Sequence, residues 1–185
     1  MRPPRCAPRS DARANRARIV EAGRSVFDGD RSAGLQAVAK AAGVGQGTLY
    51  RHFPDREALL LAVYEEEVAA LAADAAHLLS GHGPLEALRL WFERLAAHAH
   101  GTHGASLAVA AATRPGRHHP PLLAALELLL DAGKAARQVR PDAGADEVML
   151  LGSCLWRHDG GPACPERGRR VLTVVIDGLR AGTDG

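Results

Sequence analysis

Five of the seven residues from Gln46 to His52 carry side chains that make hydrogen bonds: Gln46, Thr48, Tyr50, Arg51 and His52. Such groups bond to base edges and to phosphate oxygens, so their chemistry suits contact with a nucleic-acid duplex. Gly45 and Gly47 among them leave room for a phosphate or base to approach the backbone. Other clusters offer less. The spacing Gly43-x-Gly45-x-Gly47 puts Thr48 where a dinucleotide fingerprint needs glycine, no strand pattern precedes it, and no Lys-Ser/Thr pair follows to make a P-loop. His98, His100 and His103 invite a metal reading, but helical residues two apart face away from each other, and Gly101 and Gly104 end the helix. No metal site is expected there. Gly152-Ser153-Cys154 lacks the second glycine of a nucleophile elbow and lies in a helical run, so Cys154 is expected to be a small buried residue. His118-His119 is expected in a solvated loop. No catalytic residues and no cofactor are expected, and the chain does not read as an enzyme.

To present the 46–52 cluster the chain needs a helix held rigidly against another. A helix over 35–42 closes on Gly43, which tolerates a left-handed C-cap, and a helix over 46–52 is bounded by Gly45 and by Pro54. Val38, Ala39, Val44, Leu49 and Phe53 can form the small core that fixes the two axes. This is a helix-turn-helix, whose second helix enters the major groove of DNA in known cases. Ahead of it, apolar positions from Asp11 to Phe27 recur at helical spacing among arginines, with Ser10 or Asp11 as cap and Asp28-Gly29-Asp30 as stop. Residues 1–9, rich in Pro and Arg, read as a flexible basic arm. Asp55 is the expected cap of a long fourth helix running through Leu79, broken by Gly81 and Gly83. Further helices are expected at 84–100, 105–113, 120–138, 144–157 and 166–181, and no strand-like alternation occurs. The reading is all-α, about nine helices, with a helix-turn-helix domain at 10–54 joined by the long helix to a second helical domain at 55–185, for which the family resemblance given below implies a regulatory and dimerisation role.

Composition agrees. The 185 residues are 46% apolar and 24% charged with only 4% aromatic, a globular, helix-favouring mix. The formal charge of +2 hides an asymmetry: residues 1–60 hold 11 basic against 6 acidic side chains, the remainder 12 against 15. A basic first third suits a polyanion. The longest apolar run, Ala58 to Tyr64, is far short of a membrane span, which needs roughly 20 residues. No apolar stretch follows the N-terminal arginines, so a cytoplasmic location is expected, and three cysteines without a CxxC pair fit a reducing compartment.

The stretch Asn15 to Val63, and above all Ala42-Gly43-Val44-x-x-Gly47-Thr48-Leu49-Tyr50-x-x-Phe53-x-x-x-Glu57-Ala58-Leu59, resembles the DNA-binding region of the tetracycline-repressor (TetR) family of bacterial regulators. The resemblance implies that three helices bind DNA, the fourth connects to a ligand-binding domain, and the last two build a dimer. The sequence departs from the family where a Thr or Ser usually caps the second helix, which here has Ala33-Gly34, and where Ser caps the third, which here has Gly45. The expected DNA-contacting set is Gln36, Gln46, Thr48, Tyr50, Arg51, His52 and Arg56, the last where the family commonly has a phosphate-contacting base. The implied effector is small and largely apolar. Trp91, Leu95 and His98, at i, i+4 and i+7, are expected to face it with Leu122, Leu126 and Leu129 opposite. The stripe of the last helix is wider than one core contact requires, so Val171, Val175, Ile176 and Leu179, with Val148, Leu151, Gly152 and Leu155, are expected at a homodimer interface. The function implied is a ligand-responsive repressor of a near-palindromic operator. The alternative is a helical binding protein or enzyme that keeps the fold without using DNA.

Overall fold

Phe27, Ile19, Leu49 and Leu59 are sequence-distant yet wholly shut from solvent, and their helices enclose one apolar centre. The computed structural model describes residues 8–101, 105–114, 119–156 and 165–181. Ten helices run through them: α1 (Pro8–Gly29), α2 (Leu35–Ala41), α3 (Gln46–His52), α4 (Arg56–Val63), α5 (Glu65–Gly81), α6 (Pro84–Ala99), α7 (Ala105–Ala112), α8 (Pro120–Ala135), α9 (Ala145–Ser153) and α10 (Pro165–Leu179). Among the described residues there is no strand, only an isolated antiparallel bridge between Val139 and Arg180. The chain divides into two compact units, Met1–Glu65 and Glu66–Gly185.

In the first unit α1 packs on α2, α3 and α4. Gly23 makes the α1–α4 approach possible, because a Cβ there would lie 2.8 Å from Cγ2 of Val63. In the second, α6 is central, packing on α7, α8 and α10, while α9 packs on α8 and α10. Trp91 of α6 is fully buried, stands edge-on to Phe92 at 5.5 Å, and donates its indole N–H to the Leu71 carbonyl at 2.8 Å. A second indole, Trp156, donates to Thr113 Oγ1 at 3.0 Å, and that hydroxyl donates to the Val109 carbonyl. These bonds satisfy polar groups whose burial would otherwise be costly.

Several expectations need correction. The long fourth helix is two helices, α4 and α5, interrupted at Tyr64, whose φ of −114° and ψ of 31° leave the helical region. The interruption is held from the side: the Val63 carbonyl accepts a 2.6 Å bond from Arg24 Nη2, and the Tyr64 hydroxyl donates to Asp28. Asp55 does cap α4, accepting from the Ala58 N–H at 2.8 Å. The first helix begins at Pro8, upstream of the expected Ser10 or Asp11 cap; the rest of the proposed arm lies outside the described residues. The helix expected over 120–138 stops at Ala135, where Arg137 adopts φ +55° and the Gln138 and Arg137 amides bond back to the Gly133 and Lys134 carbonyls. A left-handed non-glycine residue costs roughly 1–2 kcal/mol, so no local preference in the sequence marked this end. Cys154 is exposed, not buried, because the turn ending α9 sends Gly152 and Ser153 inward instead. Cys6, Cys164, His103, Gly104 and His118 lie outside the described residues, whereas His119 is half-buried at the start of α8.

Candidate nucleic-acid interface

The turn between α2 and α3 is set by its backbone. Gly43, at φ +64°, follows the α2 C-cap; its N–H bonds to the Lys40 carbonyl at 3.2 Å and the Val44 N–H to the Ala39 carbonyl at 3.0 Å. This pair of bonds is the Schellman closure, which needs a residue able to turn left-handed and finds glycine. Gly45 then returns to extended backbone and caps α3 without a side-chain bond, as Gly34 does for α2. Val38, Ala39, Leu49 and Phe53 are buried and Val44 is half-buried, so the expected small core forms.

With Leu49 as the inward anchor, the remaining side chains of α3 face outward. Gln46, Arg51 and Tyr50 are exposed, Tyr50 by 48%, and Thr48 and His52 are half-exposed. A tyrosine half open to water on a two-turn helix is hydrophobic surface that the unit itself does not use. Gln36 is exposed on the first turn of α2. Five of the predicted DNA-contacting residues thus share one helix.

Arg56 stands apart from them in its bonding. Its Nε donates to the Ala33 carbonyl at 3.0 Å, its Nη2 to the Arg31 carbonyl at 2.5 Å, and its guanidinium lies over the Phe27 ring at 5.0 Å. It is therefore a clamp on the loop between α1 and α2. That loop is also held by Asp30, which accepts from the backbone and hydroxyl of Ser32; these bonds keep its carboxyl below the usual range. Two further arginines lie over aromatic rings, Arg16 over Phe53 at 5.3 Å and Arg24 over Tyr64 at 4.9 Å. Sequence reasoning missed all three pairings. Their one signal was the company of Phe27, Phe53 and Tyr64 with arginines in an otherwise aromatic-poor chain.

In the second unit Trp91, Leu95, Leu122, Leu126 and Leu129, on packed helices α6 and α8, are all wholly shut from solvent, so they form filled core in this state. His98 is not part of that wall. It is exposed near the end of α6, its Nδ1 3.0 Å from the Arg94 carbonyl, because α6 buries Trp91 and Leu95 on a face that ends before it. Among the described residues no group of three or more His, Cys, Asp or Glu side chains is placed to hold a metal ion, and no helix is long and apolar enough to cross a membrane.

The residues expected at a dimer interface separate into two stripes. Leu172, Ile176 and Leu179 of α10 are buried within the chain, whereas Val171 and Val175 are half-exposed and Val174 is 72% exposed. On α9, Val148 and Gly152 face inward, and Leu155 just beyond it is buried as well. Gly152 in particular lies where a Cβ would collide with the Phe92 ring. Leu151, 51% exposed, and Leu150, missed by the sequence reading, face outward. The outward stripe is rotated from the expected one by about a residue.

Comparison with known proteins bears on both units. Residues 19–63 match the family model described as bacterial regulatory proteins, tetR family, and residues 83–181 match that of the transcriptional regulator SbtR-like C-terminal domain. An HTH-type transcriptional regulator of Staphylococcus aureus is 40% identical over 62 residues, which are 32% of this chain and 34% of that protein. The chain thus spans about a third of the length of the curated relatives it matches. The crystal structure of a TetR transcriptional regulator from Streptomyces coelicolor is 35% identical, with a TM-score of 0.57, covering 91% of this chain and 99% of that one. A gamma-butyrolactone receptor structure, described as ArpA-like, is 25% identical with a TM-score of 0.50, covering 92% of this chain and 90% of that one.

Proposed function

The chain belongs to the TetR family of bacterial regulatory proteins, and from that premise we propose that it is a ligand-responsive, DNA-binding transcriptional regulator, a repressor acting on a near-palindromic operator as a homodimer. The observation that carries the reading is the outer face of α3. Gln46, Thr48, Tyr50 and His52 read base edges in the major groove, and Arg51 and Gln36 hold phosphates. Arg56 serves the same contact in two ways, by fixing the α1–α2 loop through Nε and Nη2 and by offering Nη1 to phosphate.

The effector is small and largely apolar, and it enters the core around Trp91, Leu95, Leu122, Leu126 and Leu129. One of the similar solved chains is a receptor by its own description, which supports a small-molecule input. Because that core is closed, binding requires a rearranged state, and the effector shifts DNA affinity only by its difference in affinity for the two states.

Fluorescence anisotropy of a labelled duplex from the chain's own upstream region, against a scrambled duplex, tests the reading. Tighter binding to the natural duplex, weakened steeply by salt and by Tyr50→Ala, is the expected result. Equal affinity for the two duplexes overturns sequence-specific regulation.

A further inference from the structure

At the end of the second unit where α6 begins and α8 and α10 finish, an open cleft of about 600 Å³ is lined by Arg89, Arg137, Arg180, Glu86, Gln138 and Ile176 among others. Its volume is within the range of small-molecule sites. The cleft does not touch the apolar core assigned above to the effector.

Its charge is arranged unevenly. Arg89 is spent locally, bonding Glu86 at 2.9 Å and Glu93 at 2.5 Å, and that bonding holds the Glu86 carboxyl below its usual range. Arg180 meets Asp177 through Nε alone at 3.1 Å. Arg137 makes no ion pair among the described residues, and its backbone sits at φ +55°, where an L side chain is rarely found and glycine would be the ordinary choice. An arginine kept in a glycine conformation at the lip of a cleft costs stability and brings a guanidinium there. The segment is braced for it: Arg140 N–H bonds to the Leu179 carbonyl and Ala181 N–H to the Gln138 carbonyl, both at 2.9 Å, so the stretches bearing Arg137 and Arg180 are tied together. Two arginines thus line one cleft from two segments that backbone hydrogen bonds tie together.

We propose that this cleft is a second ligand site, for a small molecule bearing oxyanion groups, a dicarboxylate or a phosphate ester, clamped between Arg137 and Arg180. Guanidinium forks match carboxylate and phosphate oxygens in geometry and charge, and Gln138 adds a neutral donor beside them. Ile176 supplies an apolar patch for the carbon skeleton.

The test uses the full chain, with isothermal titration calorimetry and thermal unfolding in succinate, inorganic phosphate or glucose 6-phosphate, each against sodium chloride at matched ionic strength. At least one probe is expected to bind saturably and raise the unfolding temperature. Arg137→Gly is expected to weaken that binding about tenfold or more while leaving the unliganded chain as stable or more so, since glycine relieves the left-handed backbone. Arg180→Gln is expected to weaken it likewise. Succinate alone binding identifies a carboxylate ligand, and a phosphate probe alone a phosphate ester; either supports the site. Protection no greater than that of chloride, or undiminished binding by Arg137→Gly, overturns it. Operator affinity plays no part in these readouts, so the result stands or falls separately from the regulator reading.

Discussion

The hydroxyl of Tyr64, the residue that separates α4 from α5, donates a 2.8 Å hydrogen bond to the carboxylate of Asp28, 36 positions earlier near the end of α1. Arg24 covers the Tyr64 ring and takes the Val63 carbonyl, so one cluster fixes both the helix break and the α1–α4 packing. Tyr64→Phe keeps the ring and removes the bond, and is expected to cost about 1 kcal/mol. The two tryptophans, Trp91 and Trp156, both lie in the second unit. Urea unfolding followed by circular dichroism should therefore shift, while the tryptophan fluorescence transition stays in place. A shift of the fluorescence transition alone contradicts the assignment of this bond to the first unit.

Arg51 and Arg56 are expected to differ although both are proposed to meet phosphate. Arg51 is exposed on α3, so Arg51→Ala should lower the salt slope of DNA binding by about one unit and leave stability unchanged. Arg56 also bonds two carbonyls and covers Phe27, so Arg56→Ala should lower the slope similarly and destabilise the first unit by about 1–3 kcal/mol. Anisotropy over a salt series paired with urea unfolding separates the two. An Arg56→Ala chain as stable as the parent would remove the clamp.

The helix-turn-helix was legible in the sequence because each part of it is a local rule: Gly43 for a left-handed turn, Pro54 after the stop, Leu49 alone facing inward on a two-turn helix. The Asp55 cap was legible for the same reason. What the sequence did not disclose is set by partners far along the chain. The break at Tyr64 interrupts a run with good helical periodicity and depends on Arg24 and Asp28, and the clamp role of Arg56 depends on carbonyls at Arg31 and Ala33. Periodicity likewise identified α9 and α10 as two-faced but left the core-facing side undecided, because both stripes of α10 are apolar.

Glycines in the second unit give a test of opposite signs. Gly152→Ala pushes a methyl group into the Phe92 ring and should destabilise the unit by about 1–3 kcal/mol. Gly168, inside α10, has open space around the corresponding position, so Gly168→Ala should instead stabilise by about 0.5–1 kcal/mol through helix propensity. Tryptophan fluorescence in urea reads both. Equal effects of the two substitutions would show that the α6–α9 contact is looser than drawn.

The outward stripes of α9 and α10 set the last expectation. Val174 at 72% exposure, with Val171 and Val175 beside it, lines one apolar strip, and Leu150 and Leu151 on α9 line another. A second copy of the chain is the proposed cover, since two helices from each of two chains make a four-helix bundle with a self-complementary face. Glutamate at Val174 or Leu151 places a charge in that seam while adding none to the chain's own core. Both variants are expected to be folded monomers by sedimentation velocity at micromolar concentration, at which the parent is expected to be a dimer. Leu172→Glu buries its charge inside the chain and should lose cooperative unfolding. Coupled to the anisotropy assay, Val174→Glu should also weaken operator binding, because a near-palindrome is read by two copies of α3. A Val174→Glu chain that sediments as a dimer would show that copies of this chain meet elsewhere.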